Sequence, residues 1–152
     1  MDLEKLRASY RRTEQLTLLL LLIALPLFGV IYLYEQSGTL GGSLPQLSFS
    51  GQVTVLGAGG LLLLVHYFLF HRQIKIALHQ EELSEKIVTY LAATKQRFFL
   101  LMGVSVASSL GLLFSSNPGF VVLFALTLVF FSLGKPSPDR MARLMKLKKE
   151  DR

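Results

Sequence analysis

Residues 83–114 read LSEKIVTYLAATKQRFFLLMGVSVASSLGLLF. The second half, Phe98–Phe114, is apolar enough to enter a bilayer, while the first half, Leu83–Arg97, is amphipathic and carries Lys86, Lys95 and Arg97. No proline interrupts the stretch and its first glycine is Gly103, so it reads as one helix, half in water and half in lipid. In the watery half Leu83, Ile87, Tyr90 with Leu91, Thr94 and Phe98 recur at spacings of three and four. That stripe needs a cover. The N-terminal segment, with Leu3, Leu6, Tyr10 and Thr13 at the same period, offers one.

Three further apolar runs accompany it, Leu16–Tyr34, Val53–Phe70 and Phe120–Leu133. A membrane-spanning helix needs about 20 mostly apolar residues, with roughly 17 as the lower limit. The last run is short, but Pro118–Gly134 can serve, because about a dozen strongly apolar residues favour insertion by several kcal/mol. The chain has 152 residues, 51% of them hydrophobic, and a mean hydropathy of +0.49. A soluble domain of that size could bury a core without runs so long and pure. The expectation is an all-α integral membrane four-helix bundle with cytoplasmic helical extensions. Its spans cover about 16–34, 53–70, 98–114 and 118–134, with cytoplasmic helices over about 2–15, 81–97 and 138–149.

A formal charge of +6 invites a nucleic-acid reading, but the placement of the charges argues against one. Lys5, Arg7, Arg11 and Arg12 precede the first span; Arg72, Lys75, Lys86, Lys95 and Arg97 lie between the second and third. Lys135, Arg140, Arg143, Lys146, Lys148, Lys149 and Arg152 follow the fourth, which accounts for all 16 basic residues. The loops after the first and third spans hold none. By the positive-inside rule both termini are cytoplasmic, in an inner (plasma) membrane. The bilayer is therefore the first partner, with anionic inner-leaflet lipid drawn to the basic face, and nucleic acid is not expected.

The N-terminal apolar run is too long for a secretory signal and no small-x-small cleavage site follows it, so it reads as a retained span. Pro26 inside it tends to kink the helix, and Tyr32 and Tyr34 fall where aromatic belts form. The loop Glu35–Gln52 is rich in Gly, Ser, Thr and Pro, with Glu35 its only charge. Leu40, Leu44, Leu47 and Phe49 make it apolar enough to fold back onto the bundle or the lipid interface. Ser137 with Pro138 is a good start for a helix over Asp139–Lys149. That helix either docks on the bundle or lies on the inner leaflet.

Small residues suggest how the spans meet. Gly57 and Gly60 in the second span and Gly103, Ala107 and Gly111 in the third allow close helix approach. They predict a tight antiparallel pair within one subunit, with a subunit interface as the alternative.

Chemistry-bearing patterns are few. There is no cysteine, hence no disulfide, thiolate metal site or thiol nucleophile. No Asp, Glu, Lys or Arg falls inside a predicted span, which counts against pumps and proton relays. His66, about a turn from the inner end of the second span, is the one intramembrane titratable group. A haem, metal or proton-sensing role would need a partner; the ordinary reading is an interfacial histidine reaching water or a Ser hydroxyl. Ser105, Ser108 and Ser109 are polar, but Ser in membrane helices commonly bonds backbone. Glu81, Glu82 and Glu85 read as a solvated helix start. No catalytic, cofactor-binding or metal residues are expected.

The layout, with Leu83-Ser84-Glu85-Lys86 leading through Tyr90 to Arg97, a turn at Asn117-Pro118, then Lys135-Pro136-Ser137 closing on Leu147-Lys148-Lys149-Glu150, resembles small, uncharacterised four-helix membrane proteins of bacteria. The resemblance covers most of the chain and implies the topology, not an activity. The expected function is a non-enzymatic structural or accessory membrane component, self-associating as a homo-oligomer or joined to another membrane protein. Its rival is a small homo-oligomeric channel or transporter lined by the Ser/Gly face of the third span. A haem- or quinone-binding redox subunit is a third class, and a haem would announce itself by a Soret band.

Overall fold

A computed structural model describes residues 3–39 and 44–144. Five helices occupy them: α1 (Leu3–Gln36), α2 (Phe49–Leu78), α3 (Leu83–Ser115), α4 (Pro118–Gly134) and α5 (Pro138–Leu144). Among the described residues there is no strand. Loop positions 40–43, including Leu40, lie outside them. So do residues 145–152, which hold Lys146, Lys148 and Lys149 of the expected amphipathic helix.

Three helices, α1 from Arg7, α2 and α3, are long and apolar enough to cross a membrane; α4, at 17 residues, is a shorter apolar helix. The apolar faces they leave outward fit a lipid environment. Leu22, Leu33, Leu61, Leu64, Phe68, Phe99 and Val122 are all exposed, and in water such a surface would aggregate.

α3 is the axis around which α1, α2 and α4 pack, and its contact with α2 is the most extensive. α3 buries twice the share of its apolar window that α1 or α2 does. α1 runs unbroken through Pro26 and turns Thr13, Thr17, Leu20, Ala24 and Phe28 inward at helical spacing. Its neighbouring Leu18, Leu19, Leu22 and Ile23 face out.

Two of the three core clusters belong to the apolar part. One gathers Leu20, Leu63, Phe98, Leu101, Val104, Leu123 and Phe131; the other gathers Ala24, Phe28, Leu112, Phe120 and Phe124. Between helices already in lipid there is no hydrophobic drive to associate, so close packing has to hold them. The Phe28 and Phe124 rings, stacked with centroids 3.8 Å apart, are one such contact.

The third cluster lies at the end where the basic residues gather. Phe70, Ile74 and Ala77 of α2 meet Tyr90, Leu91 and Ala93 of α3, with Tyr10 of α1 and Met141 of α5 packed against them. The stripe on the polar half of α3 is thus covered by the N-terminal helix, as its period predicted, but also by the last turns of α2. Met141 shows that α5 docks on the bundle. Ser137 starts α5 as expected, its Oγ accepting from the Arg140 N–H at 3.2 Å.

At the far end a polar clasp ties the loops together. Leu47 N–H donates to the Phe114 carbonyl at 2.7 Å, Gln52 Nε2 donates to the Leu47 carbonyl at 2.9 Å, and Asn117 Nδ2 donates to Gln52 Oε1 at 2.9 Å. Asn117 also caps α4, its Oδ1 accepting from Gly119 N–H at 2.8 Å, with Pro118 at the first helical position. The described end of the first loop does fold back onto the bundle at Leu47, while Phe49 stays exposed. Ser116 sits at φ 51°, the left-handed residue that ends α3 and lets the chain reverse within two residues.

Candidate functional site: a buried His–Arg cluster

The buried stripe of α2 runs Gly59, Leu63, His66, Phe70, Ile74, Ala77. On α3 the residues facing it include Tyr90, Thr94, Arg97, Phe98 and Leu101. These stripes, with the last turns of α4, enclose the side chains of His66 and Arg97.

Arg97 is only 7% exposed. Its guanidinium carbon lies 4.9 Å from the Phe70 ring centroid, and Nη2 donates to the Phe130 carbonyl of α4 at a long 3.4 Å. A Cβ added at Gly134 would come within 3.1 Å of Arg97 Cζ and Nε, so the missing side chain is what admits the guanidinium. The last carbonyls of α4 carry the negative end of its dipole, and α4 has no basic residue of its own in its last turn. Arg97 supplies that positive charge from the neighbouring helix. Nε is buried without a partner, and the ionisable groups acting on the guanidinium are Arg140 and Tyr90.

His66 is 1% exposed, its ring edge-on to Phe130 with centroids 4.9 Å apart. Neither ring nitrogen has a hydrogen-bond partner. The Leu62 and Leu63 carbonyls of the preceding turn face the ring without reaching hydrogen-bond geometry. The expectation of an interfacial histidine reaching water or a Ser hydroxyl is therefore corrected: the ring belongs to the packed interior. Phe130 links the pair, its ring against His66 and its carbonyl on Arg97. Such an arrangement holds the helices in register. Replacing His66 by Leu removes two orphaned polar atoms. Since an unpaired buried polar group costs about 1–3 kcal/mol, the variant is expected to melt higher in detergent. A lower melting temperature would mean that something bound to the wild-type protein satisfies the ring.

The small residues separate into two sets. A Cβ on Gly111 would clash with three carbons of the Phe120 ring of α4, so this glycine does mediate close packing, but of α3 with α4 rather than with α2. Gly57, Gly60 and Gly103 have nothing within 4 Å of an added Cβ, and Ala107 is half-buried. The close approach on α2 falls instead at Gly59, where a Cβ would meet Leu123 Cδ2 at 2.5 Å. The α2–α3 contact does not run through the predicted glycines. The sequence reading chose Gly57 and Gly60 because, in a span apolar on every face, period is invisible. Counting back in steps of three and four from Ile74 through Phe70 and His66 would have reached Gly59.

Ser108 and Ser109 bond the Val104 and Ser105 carbonyls of their own helix at 2.8 and 2.9 Å. Ser105 Oγ is buried and unpartnered. Among the described residues no group of three His, Asp or Glu side chains comes together in a way that could hold a metal.

No protein-family model, curated protein or solved structure matches the chain, so the bacterial resemblance rests on the short motifs quoted above.

Proposed function

We propose that the chain is a four-span inner-membrane protein with both termini in the cytoplasm, acting as a non-enzymatic structural or accessory component that self-associates or joins a larger membrane complex. One observation carries the topology. Among the described residues the basic side chains of the first turns of α1, the last turns of α2, the first half of α3 and the stretch 135–143 gather at one end of the bundle, while Glu35 stands at the other. The path of α4 agrees. It lies against α3 from Phe120 beside Gly111 back to Gly134 beside Arg97, so it retraces the apolar half of α3. Where one crosses, the other returns.

For the role, the support is the character of the interior. Arg97 and His66 are packed between helices rather than aligned along a path, and Ser105, Ser108 and Ser109 are each no more than 1% exposed within one chain. A pore lined by that serine face would need it outward. Gly57, Gly60 and Gly103 lie open, so close approach by another membrane helix costs nothing there, which favours the subunit-interface alternative for them.

The absence of cysteine makes the topology directly testable. A Ser37→Cys variant is expected to react with a membrane-impermeant maleimide in intact cells, and a Lys135→Cys variant only after lysis. The opposite pattern, or equal labelling of both, overturns the orientation. Self-association is read by native mass spectrometry of the membrane-extracted protein; a monomer that co-purifies with no other protein would remove the accessory reading.

A further inference from the structure

At the end remote from the basic residues, α1 and α4 part above the Phe28–Phe124 stack. The groove between them encloses ≈ 510 Å³ and is lined by Tyr32, Glu35, Leu112, Ser116, Pro118 and Val121 among others. Its floor, Leu112, is a core residue of α3. Its lip is Glu35, half-buried in the last turn of α1 and the only charged residue between Glu14 and Arg72. Among the described residues its carboxylate has no cationic partner. Every described Lys and Arg belongs to segments at the opposite end.

Below the groove the wall continues as apolar surface. Val122, Leu126 and Val129 of α4 are all about half exposed, as is Val30 of α1. A ligand that fits both parts has a compact cation at the lip and a hydrocarbon chain running down the helix faces. Tyr32 at the side suits the headgroup depth of a bilayer.

We infer that this groove is a binding site for an aminophospholipid of the outer leaflet, its primary ammonium paired with the Glu35 carboxylate and one acyl chain laid along α4. The inference rests on the orientation proposed above only for the choice of leaflet; the recognition chemistry is independent of it. A primary ammonium presents three N–H donors to the carboxylate. A choline headgroup carries the same charge but no donor, so it separates hydrogen-bonded pairing from charge alone.

The test uses the full chain in detergent supplemented with mixed micelles of phosphatidylethanolamine and phosphatidylcholine in equal amounts, with retained lipid counted by native mass spectrometry. Wild type is expected to retain phosphatidylethanolamine about fivefold over phosphatidylcholine, the discrimination a charge-assisted hydrogen bond at an interface supplies and charge alone does not. Glu35→Gln, at a half-exposed helix end where folding is not at stake, is expected to bring the ratio to about one. Equal retention by wild type overturns the inference, and so does an unchanged preference in the Glu35→Gln variant. Failure of the orientation would show separately, as cytoplasmic labelling of Ser37→Cys with the lipid preference intact.

Discussion

A Gly111→Ala variant should be destabilised in detergent by about 3 kcal/mol, at the upper end of what overpacking a core costs. The added methyl has nowhere to go. It would clash with the edge of the Phe120 ring, and Phe120 is itself fully buried, packed with Ala24, Phe28, Leu112 and Phe124. Phe120 sits in the first turn of α4, directly after the Asn117 cap that is bonded to Gln52. The ring cannot retreat without dragging that clasp along. Rotation of the side chain would push it into the stacked Phe28 and Phe124 rings. Gly103→Ala, one helical face away and with open space beside it, is the control and should change stability little. The measurement is the midpoint of thermal unfolding followed by circular dichroism, with the monodisperse fraction after heating as a second reading. The double variant Gly111→Ala with Phe120→Leu should recover part of the loss, because a smaller side chain vacates the space the methyl needs. If Gly111→Ala melts with wild type, the α3–α4 contact is looser than the structure has it.

Where water supplies contrast, the sequence was readable. The polar half of α3 shows its stripe because Lys86, Lys95 and the glutamates mark the other face, and Tyr90, Leu91 and Thr94 are buried where that stripe placed them. The turn between the end of α2 at Leu78 and the start of α3 at Leu83 is less legible, because no Gly or Pro marks it. Inside the apolar runs that contrast vanishes. Leu61, Leu63 and Leu64 are indistinguishable by type, yet Leu63 is buried and its neighbours are exposed. The choice of Gly57 over Gly59 fails for this reason. Arg97 is the instructive case, since its charge led it to be counted with the solvated residues. Its position, seven residues after Tyr90 and four before Leu101, already put it on the buried face. Pattern and chemistry disagreed there, and pattern was right, because the end of a neighbouring helix supplied what the charge required.

That compensation sets the order expected for substitutions at Arg97: arginine most stable, then lysine, alanine and glutamate. Lysine keeps the charge but not the flat guanidinium that lies over Phe70. Alanine forfeits the cation–π contact, worth about 1–2 kcal/mol when desolvated, and leaves a void between α3 and α4. Against those losses stands the relief of no longer burying a charge, so a net cost of about 2–3 kcal/mol is expected for Arg97→Ala. Glutamate decides between two accounts of the site. If the dominant neighbour were Arg140, which repels the guanidinium, an acid at position 97 would be drawn to it and Arg97→Glu would outlast Arg97→Ala. If the dominant neighbour is the carbonyl end of α4, an acid there faces like charge at contact distance. The second account should prevail. Gly134 and the Phe130 carbonyl touch the side chain directly, whereas Arg140 lies on the short, half-exposed α5 where solvent and salt screen it. Arg97→Glu is therefore expected to melt lowest of the series, and adding salt should not rescue it. A glutamate variant more stable than alanine would transfer the role of Arg97 from holding the end of α4 to repelling α5.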